Sequence, residues 1–574
     1  MKKKIAIFLL WTAAAAFPLT LIGQPIPARP PIEQMERPGE PRPPLPEFGR
    51  QPARPEFVLP PIPFPRSEGL LSSGVRVFVT RFQFTGNTAI TTDELAAITA
   101  PFERREIGNE ELEEARYRIT RRYVEAGYIN SGAIIPDQKV SDGVIAIRVI
   151  EGRLNEIAVT GENRFHPDFI RKRLALGAGP PLNINGLQER MQILLQNPQL
   201  ERINAELAPG VGPGESVLRV VVKEAPPFLL GASLANNRSP AIGSRRAEIQ
   251  GTARDLLGYG ESFNARAGNT SGLKDYAFNI AVPVSPYDTM LSLHLDRNGS
   301  TVMEPPFNSI GVRANSENIE IGLSQPLYRT IQKTLSMGLT LSRRESQTFL
   351  LDQPFSFTPG ARDGRSVVGV MRWSAEWLDR NPERVIAARF TVSYGLNAFG
   401  STIDGGLPDS KFVARLGQFQ WAKRLGENRG QLLFRTDVQL TNGSLLPLEK
   451  FAVGGVDTVR GYRENTLVKD AGWVASIEYR VPVARLPLGK IGDQPEDGTV
   501  QLAAFADTGR AGELNDAGSL PSRISSVGPG IRWDITRDFG AQLYKGFARN
   551  KINYGTRDLQ NKGIHFRIGL QKAF

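Results

Sequence analysis

The rhythm of hydrophobic and polar positions changes several times along this chain. Lys2, Lys3 and Lys4 precede an apolar run from Ile5 to Ala16, which reads as a secretory signal over residues 1–23. No small-x-small pair marks a cleavage point before Gln24. Residues 24–74 then lose all periodicity and become proline-rich, with Arg29-Pro30-Pro31, Pro43-Pro44 and Pro60-Pro61-Ile62-Pro63. Such a segment cannot build a core and favours extended polyproline II, so it reads as a semi-rigid tether. A helix-breaking proline density also argues against a long helix there; only a short turn at Pro31 to Glu36 fits.

Two α+β units follow, over residues 75–151 and 152–225. In the first, Val75 to Val79 and Phe82 to Phe84 alternate as a strand, and Thr92 is placed to cap a short helix through Leu95 and Ile98. From Glu110 to Ala126 the period becomes helical and puts Leu112, Ala115, Ile119 and Tyr123 on one stripe. Strands at Ala133 to Pro136 and Val144 to Ile150 complete it, joined through Asp142-Gly143. The second unit repeats the order. A strand at Ile157 to Thr160 leads to a helix near Pro167 and another carrying Ile184, Leu187, Met191 and Leu194. Strands near Ile203 to Leu207 and Val217 to Val222 end it.

Residues 226–574 form the third regime, strands and turns to the end. Met371, Trp373, Ala375 and Trp377 alternate with Arg372, Ser374 and Glu376. Leu432, Phe434, Val438 and Leu440 alternate with Arg435, Asp437 and Gln439. A strand with lipid on one face and water on the other needs this pattern. A sandwich also alternates, but not over so long a stretch with aromatics at the strand ends. No segment after the signal approaches the roughly 18 consecutive apolar residues of a membrane helix. The fold class expected is therefore an all-β transmembrane barrel preceded by two α+β domains. Val282-Pro283-Val284, Gln325-Pro326-Leu327 and Val481-Pro482-Val483 mark strand ends, since proline removes a ladder donor. In the last segment Ile564, Phe566, Ile568, Leu570 and Phe574 share one face, and His565, Arg567, Gly569 and Gln571 the other.

Composition narrows the chemistry. The chain has no cysteine, so it has no disulfide framework, thiolate metal site or lipid-anchoring cysteine. Its net charge of +11 suggests nucleic acid, but the arginines and lysines are spread through alternating strands, as in a polar lumen. Of the three histidines, His166 opens a helix before Pro167, and His294 and His565 lie in wall strands with no acidic neighbour in a useful sequence pattern. No nucleophile elbow, metal cluster or phosphate-binding glycine loop is evident. No enzyme activity, cofactor, metal, nucleotide or nucleic-acid partner is expected.

The most unusual segment is Phe451-Ala452-Val453-Gly454-Gly455-Val456-Asp457-Thr458-Val459-Arg460-Gly461-Tyr462. It is too glycine-rich for a helix and too irregular for a strand, so it reads as a tight loop carrying one arginine. Downstream, Phe505-Ala506-Asp507-Thr508-Gly509 puts Phe505 and Asp507 on the lumenal face of an alternating strand. A bidentate Arg460–Asp507 pair or two separately solvated charges both fit the residues alone.

The loop Val459-Arg460-Gly461-Tyr462 and the wall motif Phe505, Asp507, Gly509 resemble those of the two-partner secretion transporters (TpsB type, haemolysin secretion/activation group) of the outer-membrane assembly superfamily. The repeated unit resembles the POTRA domain, with Tyr123 to Ile129, Gln138 and Asp142-Gly143 much like the first POTRA of that group. The resemblance implies about 16 antiparallel strands, periplasmic POTRA domains and a loop after the eleventh strand whose Arg460 pairs with Asp507. Phe574 resembles the signal by which outer-membrane barrels are recognised for insertion, although Lys572 stands where an apolar residue is usual. The implied location is the bacterial outer membrane. The implied partners are a secreted exoprotein as cargo, outer-membrane lipid, and periplasmic chaperones and the barrel assembly machinery during biogenesis. The function expected is export of an unfolded exoprotein, bound at the exposed strand edges near Ala133 to Pro136 and Ile203 to Leu207. The rival readings are a barrel assembly factor and a passive diffusion channel.

Overall fold

The computed structural model of the protein describes residues 46, 48, 57–58 and 76–574, apart from 162–163, 406–407, 427–429, 490–493, 495–496, 515–521 and 555–556. The signal segment and the turn at Pro31 to Glu36 lie outside the described residues.

The first unit contains β2 (Val77–Val79), β3 (Arg81–Thr85), α1 (Thr92–Thr99), β4 (Arg105–Ile107), α2 (Asn109–Glu125), β5 (Gly132–Ile134) and β6 (Val144–Ile150). The strand read as continuous from Val75 to Phe84 is two. β2 pairs with β4 and β3 with β6, and between them Thr80 N–H donates to Gly143 O at 2.7 Å. The α1 cap is Thr91 rather than Thr92, with its Oγ1 accepting from Glu94 N at 3.4 Å. The helical stripe buries Ala115, Ile119 and Tyr123 against Val79, Leu95, Ile145 and Ile147. Glu151 closes the unit, accepting from Thr88 N at 2.6 Å, Ala89 N at 2.7 Å and Tyr123 OH at 2.8 Å.

The second unit comprises β7 (Arg153–Gly161), α3 (Pro167–Ala175), α4 (Ile184–Leu194), β8 (Leu200–Pro209) and β9 (Glu215–Glu224). Leu174, Leu187, Met191, Leu218 and Val220 fill its core. Its sheet has the order β1-β8-β9-β7, where β1 is Phe57–Val58 of the proline-rich segment. Phe57 and Val58 run parallel to β8, opposite Ala205 and Glu206. The tether is therefore not polyproline throughout. Phe57 and Val58 pair here because Phe and Val are strong strand formers and an unpaired edge offers free backbone donors and acceptors. The β8 edge read as open for cargo is occupied here by the chain itself, while β5 remains the outer strand of its own sheet.

The second unit is fastened to the turns at one end of the barrel. Arg173 of α3 donates through Nε to Asp288 at 2.9 Å and through Nη2 to Ser285 O at 3.0 Å, with its guanidinium carbon 3.6 Å from the Phe169 ring centre. Gln196 Nε2 donates to Ile331 O at 2.6 Å, and Gln199 to Gly260 O at 3.1 Å.

Among the described residues sixteen antiparallel strands close the barrel, from Phe228–Ala235 to Ile564–Ala573. The seam pairs Leu229 with Ala573 through to Ala235 with Arg567. Phe574 completes it by exchanging backbone hydrogen bonds with Phe228 at 2.8 and 3.3 Å. Outward positions such as Ile249, Ile321, Leu440, Ile477 and Leu570 are large, apolar and exposed, which is stable only against lipid. Pro326 and Pro482 lie inside strand ends rather than beyond them, each at a register shift, as a missing ladder donor requires.

Candidate functional site

The eleventh wall strand, Gly430–Thr441, and the twelfth, Ala471–Arg485, are joined by a long excursion into the lumen. Its base is a short hairpin of Phe451–Val453 and Leu467–Lys469. Gly454 and Gly455 turn the chain with φ of +115° and +103°, a region that side chains other than glycine strongly disfavour. The turn is held by Gly454 N–H donating to Thr458 Oγ1 at 2.8 Å and Val456 N–H to Glu464 at 2.8 Å.

Arg460 sits at the tip. Its Nε and Nη2 donate to Asp507 at 2.8 Å each, a bidentate pair, and its backbone N–H donates to the same carboxylate at 3.0 Å. Nη1 pairs with Glu478, and Ser526 Oγ donates to the Arg460 carbonyl. Asp507 also accepts from Ser476 at 2.7 Å, and Glu478 from Tyr544 at 2.9 Å. The guanidinium lies over Phe505, its carbon 3.7 Å from the ring centre, so Phe505 of the wall motif supplies a π face. The site is buried: the Asp507 side chain is 0% exposed and that of Arg460 7%.

The neighbouring loop residues anchor this contact. Val459 is fully buried with Val453, Val474 and Ile524, and Tyr462 OH donates to Ser525 O at 3.1 Å. Gly461 touches Gly546: a Cβ on Gly546 would stand 2.5 Å from Gly461 Cα. Gly509 is required by the loop base, since a Cβ there would meet Val453 at 2.6 Å and Val474 at 3.0 Å.

The predicted residues Val459, Arg460, Gly461, Tyr462, Phe505, Asp507 and Gly509 thus converge. Gly454 and Gly455 form the bend behind them, and Phe574 lies apart, at the seam. Several partners were not singled out from sequence. Glu478 and Ser476 face Asp507 from the adjacent strand, where register pairs Ser476 with Asp507. His565, read as an ordinary wall residue, accepts from Gly461 N–H through Nε2 at 3.3 Å. Two further ties hold the loop. Glu449, buried at its root, bonds Arg372 and Arg344 of the eighth and seventh strands at 2.7 and 2.8 Å. Arg463 pairs with Glu304 at 2.8 and 2.9 Å and stacks over Tyr554 at 4.0 Å. Alternation marked Arg372 and His565 as polar wall positions but not as loop contacts.

Residues 214–533 match the sequence model of the haemolysin secretion/activation protein ShlB/FhaC/HecB, and residues 77–152 match the ShlB-type POTRA domain. The chain belongs to the ShlB/FhaC/HecB family. Its members are outer-membrane transporters of the two-partner secretion type, with POTRA domains in the periplasm. Among relatives, the outer membrane transporter CdiB of Escherichia coli O6:K15:H31 is 27% identical over 418 residues, 69% of this chain and 67% of that protein. CdiB of Dickeya dadantii is 23% identical over 277 residues, about half of each chain at 47% and 48%. The heme/hemopexin transporter protein HuxB of Haemophilus influenzae is 22% identical over 479 residues, 77% of this chain and 81% of that one. The solved structure of Escherichia coli CdiB shares the fold with a TM-score of 0.65 at 19% identity, covering 88% of this chain and 92% of that chain.

Proposed function

We propose that this family member exports an unfolded exoprotein across the outer membrane, with the Arg460 loop as the gate of the barrel. The observation that carries the reading is the constellation around Arg460. A loop crossing a lumen needs no buried bidentate pair merely to rest there, and a passive channel would gain nothing from one. Held by Asp507 and Glu478, the loop closes the path; released, it frees the lumen for an extended chain. The haemolysin secretion family and the names of its relatives supply the class of cargo, a secreted protein.

Cargo is received at the POTRA units by strand addition, where backbone bonds give affinity and alternate side chains give selectivity. At β5 the Ala133 N–H and C=O are bonded to Thr120 at 3.1 Å and Arg116 at 3.4 Å of α2, so an added strand must displace them. Engagement at β8 requires that Phe57–Val58 leave it. The reading is tested by co-expressing the chain with a candidate exoprotein from its own genome and measuring that exoprotein outside the cell. Crosslinkable residues at the outward positions 134 and 206 should trap secretion intermediates. Crosslinks confined to the barrel rim would remove the POTRA edges from the pathway, and export independent of this chain would overturn the function.

A further inference from the structure

Most lumenal arginines of this barrel are neutralised. Arg246 pairs with Asp275 and Glu248, Arg344 and Arg372 with Glu449, Arg460 with Asp507 and Glu478, and Arg480 with Glu478. The opposite holds at the end that carries the second POTRA unit. There, a cavity of about 1580 Å³ lies between β8 and the barrel rim. It is lined by Arg202 of β8 and by Arg254, Arg380, Arg532, Arg537 and Arg567 of the rim and lower wall. None of these six has an ion-pair partner among the described residues. Arg532 donates only to neutral groups, Gln542 at 2.7 Å and Tyr544 at 3.4 Å.

The cavity's own carboxylates do not offset them. Glu201 is taken by Lys223 at 2.8 Å, and Glu248 by Arg246. Among the described residues, Asp534 and Asp538 form no ion pair, and Asp534 attracts Arg532 without touching it. Six arginines less two carboxylates leave four positive charges in a concave, protein-walled space. Low-dielectric walls focus such a field, so the vestibule concentrates anions at its mouth.

Two observations identify the class of anion. Register places Arg254, Arg532 and Arg567 on the same face of their strands as Asp507, toward the lumen, which lipid headgroups do not enter. The cavity also borders the β8 stretch Glu201 to Asn204, a strand that already accepts an added chain at Ala205 and Glu206. A polypeptide fits both.

We propose that this vestibule receives acidic, extended polypeptide segments, the guanidinium groups engaging Asp and Glu side chains as the chain passes from the POTRA units to the lumen. The identification of the occupant with cargo rests on the export reading; the binding chemistry does not.

The test uses the full-length protein in detergent and fluorescein-labelled poly-glutamate, with poly-lysine and a Gly/Ser polymer as controls. Poly-glutamate should bind with an affinity that falls steeply with salt, and the controls should not bind. A triple variant R254Q/R380Q/R567Q should lose at least tenfold in affinity, while R254K/R380K/R567K keeps most of it. Heat-modifiable migration on gels checks that both variants fold. Equal binding of poly-glutamate and the Gly/Ser polymer, or undiminished affinity in the folded Gln variant, overturns the proposal. So does phosphatidylglycerol, presented in nanodiscs, displacing poly-glutamate through the same arginines. Secretion is scored in parallel. Export by wild type without arginine-dependent binding sinks the vestibule and leaves the export reading standing. Arginine-dependent binding by a chain that secretes nothing does the reverse.

Discussion

Replacing Arg460 by alanine is the most informative perturbation of the gate. The substitution removes two hydrogen bonds to Asp507 and one to Glu478, and leaves Asp507 with no exposed surface and no cation. Removing one partner of a buried, hydrogen-bonded ion pair costs about 3–5 kcal/mol, because the remaining charge stays desolvated. At about 1.4 kcal/mol per factor of ten, the docked-to-undocked ratio of the loop falls by roughly 10²- to 10⁴-fold. Glu478 is spared part of this loss because Arg480 still bonds it at 2.5 Å. Conductance of the purified protein in planar bilayers reads the result: R460A and D507N should each show longer and larger openings than wild type. The charge-swapped pair should not restore closure, since an aspartate at 460 would face Glu478. The neutral pair R460M/D507L should recover part of it, because neither partner is left charged. Wild-type conductance and secretion in both single variants would refute the latch.

Other consequences are independent of that charge. Gly546→Ala, which puts a methyl 2.5 Å from Gly461 Cα, should unseat the loop tip and raise conductance although no ion pair is touched. Glu449→Gln weakens the root tie to Arg344 and Arg372, and should make the loop sensitive to proteases added to the outer face of intact cells. Deleting Phe574 removes the backbone pairing with Phe228 at the seam and should cut the folded, heat-modifiable fraction severalfold. In the first POTRA unit, burial works to raise the Glu151 carboxyl pKa, but the N–H groups of Ala89 and Thr88 and the Thr88 and Tyr123 hydroxyls outweigh it, so the net shift is downward. A lowered folded-state pKa means stability that is complete above the ordinary carboxylate range and lost as pH falls through the lowered value. Acid titration of the wild-type unit should therefore show a loss between those two pKa values that Glu151→Gln lacks.

The barrel and its gate were legible to different depths. Alternation in Met371 to Trp377 or Leu432 to Leu440 is a local property, so it disclosed wall strands, their faces and the lumenal position of Asp507. The helical stripe through Ala115, Ile119 and Tyr123 was equally local. What remained hidden depends on register and closure. Ser476 and Glu478 meet Arg460 because two strands align Ser476 with Asp507. His565 meets Gly461 because barrel closure brings the last strand beside the loop. The pairing of Phe57–Val58 with β8 was hidden for another reason: two residues among prolines carry no period, and only a nearby free edge gives them a partner.

The three ties of the loop differ in sign. At its root the loop offers an anion, Glu449, to two wall arginines; at its tip it offers a cation, Arg460, to two wall carboxylates. A free ion or short peptide competes with only one kind. A guanidinium that displaces Arg460 is repelled at Arg344 and Arg372, and a carboxylate that displaces Glu449 is repelled at Asp507. Adventitious solutes therefore loosen one end and tighten their own exclusion from the other. Only a long chain of mixed charge, present at both ends at once, matches the whole set, so under the gating proposal the arrangement would serve as a two-key safeguard against leakage of the periplasm.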